Sequence, residues 1–329
     1  MAKASRLLTI TCAAALALWA GQSVAAEKVR IGVLKFGTVN WEIDTIIHNK
    51  FDEANGFDLE VVELAGNDAT KVALQSGDVD IIVSDWLFVS RQRAEGDPLT
   101  FVPYSTSVGA VMAPCDSMPG GLPDLKGKTV GVAGGPLDKS WLMLRGMAEG
   151  QYDFDLQAES TQVFGAPPLL LEKLKQKELD ASLNYWQYNA RLETEGYCSV
   201  VTAQEAARAL GAEGNISAIG YVFSENWANK NMEAAQSFVK ASKTAKDLLA
   251  TSDEAWDRLK PLMGTDDDAV FQTLKTRYRE GIPTRPITEE ERDTAKVYEY
   301  LAKVGGEKLV GPATTMAEGT FWSALKNGS

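Results

Sequence analysis

Apolar residues along this chain fall into two alternating patterns: short unbroken runs, and stripes at helical spacing. Residues 28–34, KVRIGVL, end in the apolar run Ile31 to Leu34 and predict a buried strand. Ile43, Ile46, Ile47 and Phe51 then recur at helical intervals, predicting a helix that Gly56 ends. The alternation continues with a strand at 58–64, a helix at 69–75 capped by Asp68 and stopped by Gly77, and a strand at 80–83. A helix over 88–94 stops at Gly96, and strands follow at 100–104 and 108–113.

From residue 129 the plan repeats. A strand at 129–133 leads through Gly134, Gly135 and Pro136 into a helix over 139–149. A strand at 160–164 precedes a helix opened by Pro167 and Pro168, where proline is tolerated because a first-turn amide has no helical partner. A strand at 181–184 and a helix at 188–195 complete the copy. Strands alternating with helices at this spacing predict an α/β fold with largely parallel sheets. One more strand is expected at 219–223, and from Met232 onward the pattern is nearly all helical. Ser252 and Thr265 are expected caps, and Thr288 with Glu291 an expected capping box. These last helices are expected to return to the first half of the fold.

The repeat has a register. LQSGDVDIIVSDW at 74–86 aligns without a gap on LKQKELDASLNYW at 174–186, matching Leu74 with Leu174, Asp80 with Asp180 and Trp86 with Trp186. Trp41 and Trp141 share the same offset of 100 residues, and IGV at 31–33 matches VGV at 130–132, one residue off. Solenoid repeats are far shorter, roughly 20 to 50 residues. The long period predicts two similar α/β lobes with tryptophans at corresponding places, able to grip a ligand from both sides. Coincidence among helix–strand units of similar length is the competing reading.

Residues 1–26 stand apart. Lys3 and Arg6 precede an apolar run over 7–20, and Val24-Ala25-Ala26 has the small-residue pattern of a cleavage site. This predicts a signal peptide removed after Ala26 and an exported protein. The run is short for a membrane span, and Cys12 lies inside it rather than where a lipid-anchored cysteine sits. Losing Lys3 and Arg6 takes the net charge from −12 to −14. That acidity excludes nucleic acid, which demands a basic footprint, and disfavours anionic membrane surfaces. Cys115 and Cys198 remain after cleavage. An oxidising compartment allows them to pair; two separate thiols are the alternative, and the Cα separation decides between them.

Catalytic patterns are missing from the sequence. Its single histidine, His48, falls on the first predicted helix, and the two remaining cysteines are far apart, so no metal-ligand spacing is present. There is no P-loop, G-x-S-x-G elbow or G-x-G-x-x-G fingerprint. Asp153 and Asp155 sit in a polar loop, and Glu289 to Glu291 suit a helix start, where the dipole favours acids. The expectation is a binding module with no cofactor and no metal.

ALQSGDVDIIVSD at 73–85, DLKGKTVGVAGG at 124–135, KELDASLNYW at 177–186 and FSENWANKNMEAAQSFVKA at 223–241 together resemble the solute-binding proteins of nitrate, taurine and alkanesulfonate ABC importers, with their thiamine-pyrimidine relatives. The resemblance runs over essentially the whole mature chain. It implies a type II periplasmic binding protein fold, two α/β lobes with a cleft and a two-strand hinge. On that plan residues 27–112 begin the first lobe, 113–217 form the second and 218–329 return to the first. The crossings fall near 111–114 and 215–220. It further implies a monomeric periplasmic receptor that closes on a small-molecule solute and delivers it to a membrane permease. A pyrimidine-synthase-like enzyme on the same fold, or a ligand-sensing subunit, are the alternatives, since fold does not fix function.

Family ligand contacts map to loops after the strand ends, where open α/β sheets hold ligands. Those positions are Phe36, Thr38, Trp41, Asn67, Asp68, Asp85 and Trp86 in the first lobe, and Asp138, Ser140, Trp141, Asn184, Tyr185 and Trp186 in the second. Sulfonate and nitrate binders need donors, at helix N-termini or on basic side chains. Here the loops carry more acid (Asp44, Asp68, Asp85, Asp138) than base (Lys35, Lys139), beside four tryptophans. Aromatic faces attract cations and stack on flat rings. The reading favours a neutral, cationic or aromatic-ring solute. A zwitterion stays open, because Gly134 and Gly135 ahead of a helix suit an anionic group. The competing reading is that the aspartates only cap helices and the tryptophans only fill core.

Overall fold

The structure, a computed structural model, describes residues 26–35, 37–117 and 119–326. The expected signal peptide, apart from Ala26, lies outside the described residues, as does Phe36.

Among the described residues, ten strands form two sheets. In chain order they are β1 (Glu27–Leu34), β2 (Phe57–Leu64), β3 (Ile81–Ser84), β4 (Leu99–Ser105), β5 (Ala110–Pro114), β6 (Thr129–Ala133), β7 (Thr161–Gly165), β8 (Ala181–Asn184), β9 (Tyr197–Thr202) and β10 (Ile219–Ser224). The first sheet runs β2-β1-β3-β10-β4 and the second β7-β6-β8-β5-β9. In each sheet four strands run in one direction, and the strand that follows a crossing, β10 or β5, runs antiparallel to both of its neighbours. The two orders are the same topology, so the repeat read in the sequence is a repeat of architecture.

Its register survives at atomic detail. Ile31 pairs with Ile81 in the first sheet, and Val130 with Ala181 in the second, which reproduces both the 100-residue offset and the one-residue slip. Asp80 accepts the Arg30 backbone N–H at 2.8 Å, and Asp180 accepts that of Thr129 at 2.7 Å. Each aspartate thus anchors the backbone of the neighbouring strand. The glycine of each G-V pair meets its lobe's core closely. A Cβ on Gly131 would stand 2.6 Å from Leu179 Cδ1, and one on Gly32 3.2 Å from Val79 Cγ2.

The chain crosses between sheets at 106–109 and again ahead of β10. The first crossing was expected at 111–114, but those residues belong to β5: Val111, Met112 and Ala113 are buried and paired with β8 or β9. Cys115 and Cys198 form a disulfide with Cα atoms 5.0 Å apart, joining the ends of adjacent β5 and β9.

The C-terminal helices do not all return to the first lobe. Helix Met232–Thr251 does, packing on helix Val39–His48 and burying Ala234, Ala235, Phe238 and Ala241. Helix Asp268–Glu280 bridges the lobes, burying Phe271, Leu274 and Tyr278 in the core around Trp41 and Trp256 while lying against helix Trp186–Glu193 of the second lobe, and helix Ile287–Gly305 lies against Lys139–Tyr152. Gly146 lets that last contact form, since any Cβ there would collide with the Tyr300 ring. An apolar stripe says that a helix is covered, not by what.

Several caps differ from expectation. Ser252 does cap, accepting the Ala255 N–H at 3.1 Å. Asp68 does not, because its helix starts at Asn67 after Gly66. Asp267 takes the role expected of Thr265, accepting the Val270 N–H. The helix expected to open on a Thr288–Glu291 box begins at Ile287 behind Pro286, leaving Thr288 inside its first turn. A capping box forms instead at Thr202 with Glu205, ahead of helix Ala203–Ala209.

Candidate functional site in the cleft between lobes

The C-terminal ends of β1 and β3 face those of β6 and β8. Two contacts join the lobes there. Lys139 Nζ, at the start of helix Lys139–Tyr152, donates to Asp85 Oδ2 at 2.8 Å. Trp41 and Trp186 meet edge to face with ring centroids 6.0 Å apart.

Asp85 stands at the N-cap of helix Trp86–Ala94, where its Oδ1 accepts the Phe88 N–H at 2.8 Å. Burial pushes its carboxyl upward, but the Lys139 ammonium and the Phe88 amide outweigh that and hold it below the usual aspartate value. Asp138 caps the helix opposite, accepting the Ser140 and Trp141 N–H groups at 2.9 and 3.1 Å. Burial raises its carboxyl above the ordinary value despite neighbouring Lys139.

Trp41 rests on a rigid bed. Its ring packs on Trp256 and Tyr278, at 5.8 and 5.9 Å between centroids, and its Nε1 donates to the Leu262 carbonyl at 3.4 Å. Beneath it Glu42 is fully buried, paired with Lys246 Nζ at 2.6 Å. Glu42 also accepts from Tyr221, Ser242 and Tyr278 hydroxyls at 2.7, 2.6 and 3.2 Å. A buried carboxylate with that many partners fixes the turn of helix that carries Trp41.

Beside the tryptophan contact opens a cavity of about 440 Å³, built by both lobes. Thr38, Trp41, Asp44 and Glu63 line it from the first lobe, Tyr188 and Arg191 from the second. Arg191 donates to the Met263 carbonyl at 3.0 Å, and Arg277 forks onto Glu193, so the cavity's back wall is tied across the lobes.

The structure separates the sequence-derived positions into groups. Thr38, Trp41, Asp85, Asp138, Tyr185 and Trp186 gather at the cleft; Tyr185 is 41% exposed. Asn67 and Asp68 are exposed in the first turn of their helix. Trp86 and Trp141 are each 1% exposed, within the core that runs across both lobes. Trp86 Nε1 donates to the Ser217 carbonyl at 3.0 Å, which seats the return crossing. Asn184 is buried, donating to the Pro167 carbonyl and accepting from the Tyr185 N–H. Ser140, half-buried, lines a cavity of only about 30 Å³ with Trp86 and Gln204. So each matched tryptophan pair splits: Trp86 and Trp141 lie wholly in the core, whereas Trp41, 5% exposed, borders the cavity from the core and Trp186 is part-buried against it. Tyr188 and Arg191 were not anticipated, although their i,i+3 spacing puts them on one face of the helix that Trp186 opens. Leu262 comes from a remote turn that no local pattern marks.

Similarity to known proteins agrees with this architecture. Among curated proteins, none matches the chain. Among solved structures, the periplasmic aliphatic sulphonate binding protein SsuA from Escherichia coli superimposes with a TM-score of 0.71 at 18% identity, over 92% of this chain and 99% of that one. The alkanesulfonate-binding protein SsuA from Xanthomonas axonopodis pv. citri, solved bound to MOPS, gives 0.66 at 17% identity over 91% and 99%. The periplasmic nitrate-binding protein NrtA from Synechocystis PCC 6803 gives 0.59 at 10% identity over 90% and 92%. At these identities the likeness establishes the fold, that of two-lobed periplasmic binding proteins. The sequence pattern of the family described as NMT1/THI5 like matches residues 49–255, more than half of the chain, and the chain belongs to that family.

Proposed function

We propose that the mature chain is the extracytoplasmic solute-binding component of an ABC importer, closing its lobes around one small organic solute and passing it to a membrane permease. The observation that carries this reading is the meeting of both lobes around the cleft, through Trp41 with Trp186 beside a cavity of about 440 Å³. That volume suits a small molecule, since ligand pockets run from roughly 300 to 1,000 Å³. The crossings at 106–109 and 215–218 are the natural hinge, two short segments joining otherwise separate sheets. The protein works as a monomer in the periplasm after removal of residues 1–26.

The favoured solute is neutral, cationic or ring-bearing. Trp41 and Tyr188 line the cavity, with Trp186 against Trp41, and supply aromatic surface, while the carboxylates Asp44 and Glu63 stand in the lining with Lys35 and Arg191. Sulfonate and nitrate, bound by the similar proteins, are the other class to be tested. A thermal-shift screen with amines, heterocycles, sulfonates and nitrate separates them. A solute at 100-fold excess over its Kd adds about 2.7 kcal/mol of stability. Shifts confined to sulfonates or nitrate would refute the solute class, and turnover of a solute would refute pure binding.

A further inference from the structure

The two crossings between the lobes are not slack. Gln204, at the start of helix Ala203–Ala209 in the second lobe, reaches both of them. Its Nε2 donates to the Thr106 carbonyl of the first crossing at 2.7 Å and to the Ile216 carbonyl of the second at 2.8 Å, and its Oε1 accepts the Ile216 N–H at 3.1 Å. The Ser217 N–H donates at 2.6 Å to Glu290 of helix Ile287–Gly305, which packs on the second lobe. One peptide further along, the partners change sides. The Ser217 carbonyl accepts from Trp86 Nε1 at 3.0 Å, and the Ala218 N–H donates at 2.9 Å to the Ser105 carbonyl at the end of β4. Both groups of the peptide before Ser217 are thus held from the second lobe's side, and both groups of the peptide after it by the first lobe. Thr106 marks the same change less sharply. Its N–H donates to the Gly281 carbonyl at 2.8 Å and its carbonyl accepts from Gln204, while the Ser107 N–H reaches back to Ser105 Oγ at 3.1 Å.

We propose that Ser217 is the pivot of lobe closure and Gln204 the clasp that holds both crossings to the second lobe, which makes the two positioning residues for solute capture. This rests on the solute-binding reading. Peptide groups are planar and stiff, so two of them held by different bodies turn relative to each other only through the φ and ψ of the residue between. That residue is Ser217, fully buried, with a hydroxyl that has no hydrogen-bond partner. Its side chain holds nothing that closure would have to break. Buried backbone groups are costly to leave unpaired, so Gln204 keeps the bend from spreading into Ile216 and keeps the two crossings together. The lobes then swing about one axis and bring Trp41 to Trp186 in one orientation. Apparent affinity scales with the fraction of chains in the binding-competent arrangement. Two residues outside the cavity lining therefore tune solute capture.

The test reads the lobes directly and needs no solute. Val72 and Leu169, 62% and 52% exposed on helices Asn67–Ser76 and Pro167–Lys175 of opposite lobes, are replaced by cysteine in the mature chain and carry nitroxide labels. Pulsed electron spin resonance gives the distribution of distances between them, and thermal melting checks that each variant is folded. Gln204→Met keeps the reach of the side chain and removes its donors. Ser217→Gly frees the dihedrals of the pivot, and Ser217→Ala removes the hydroxyl alone. The parent and Ser217→Ala are expected to share one distribution, and Ser217→Gly and Gln204→Met to give one about twice as broad. A folded Ser217→Gly or Gln204→Met with the parent's distribution overturns the proposal. Broadening by Ser217→Ala equal to that by Ser217→Gly overturns it as well, because loss of the hydroxyl would then be the cause. Should Ser217→Gly fail to fold, Gln204→Met decides alone. A parent chain that binds a solute from the thermal-shift screen leaves the binding-protein reading standing whatever the distances show.

Discussion

Trp86 and Trp186 occupy matched places in the two lobes, yet one is buried in the core and the other part-buried against Trp41, and substitution separates the two. Trp86 is 1% exposed and its indole N–H is bonded to the Ser217 carbonyl. Replacement by alanine removes a fully packed indole, a loss of about 3–5 kcal/mol. The freed Ser217 carbonyl adds about 1 kcal/mol. With an unfolding entropy of about 2.1 cal/mol/K per residue over roughly 300 residues, a loss of about 4.5 kcal/mol lowers the Tm by about 7 °C. Trp186 is only partly buried and gives up chiefly its edge contact with Trp41, about 1 kcal/mol, so Trp186→Ala moves the Tm by about 2 °C. Calorimetric melting of both variants, each followed by titration with a solute from the screen, reads both effects. Trp86→Ala should melt early, whereas Trp186→Ala should melt nearly normally and lose solute affinity by tenfold or more. A Trp86→Ala protein with the parent's Tm and no solute binding would refute the assignment and place Trp86 in the binding surface.

Further expectations follow from the same geometry. The Cys115–Cys198 bridge spans a sequence separation of 83 residues, so loop-closure entropy assigns it about 4.5 kcal/mol, and urea unfolding with and without reductant should differ by an amount of that order. An unchanged midpoint after verified reduction would contradict this. Lys246→Met strands the buried Glu42 carboxylate and should cost about 3–5 kcal/mol, part of which the double variant with Glu42→Leu recovers; additive losses in the double variant would dissolve the pair. Asp85, held below the ordinary value of 3.8, stabilises the fold fully above that value and loses its contribution as pH falls through the lower folded-state value. The stability gap between parent and Asp85→Asn should therefore be constant near neutrality and shrink only on the acid side, and a gap that shrinks above pH 6 would contradict the pairing.

Much of the architecture was written in local patterns. β3 and β8 lie where the ungapped alignment of 74–86 on 174–186 put them, and the offset between 31–33 and 130–132 became a matching strand register. Those features depend on short-range rules: β-branched runs, glycines at tight packing positions, and aspartates anchoring strand backbones. Strand β9 was missed because YCSVVT carries a weak apolar alternation and depends on pairing with β5. Long-range choices were not legible either. The stripe of helix Ile287–Gly305 gave no sign that Lys139–Tyr152 covers it. Nor did equal spacing reveal that Trp86 turns inward onto Ser217 while Trp186 reaches across to Trp41. Asp85 and Lys139 were both marked as cleft residues, but their bond joins positions 54 apart on different lobes, which no helical or strand period encodes.

The central claim, a cleft that captures and releases an unaltered solute, is tested most directly by isothermal titration of the first solute to raise the Tm, followed by chemical recovery of that solute. The account predicts one solute bound per chain, weakened tenfold or more by Trp186→Ala, and returned unchanged after the protein is denatured. Binding that is indifferent to Trp186→Ala, or recovery of a converted product, would contradict it.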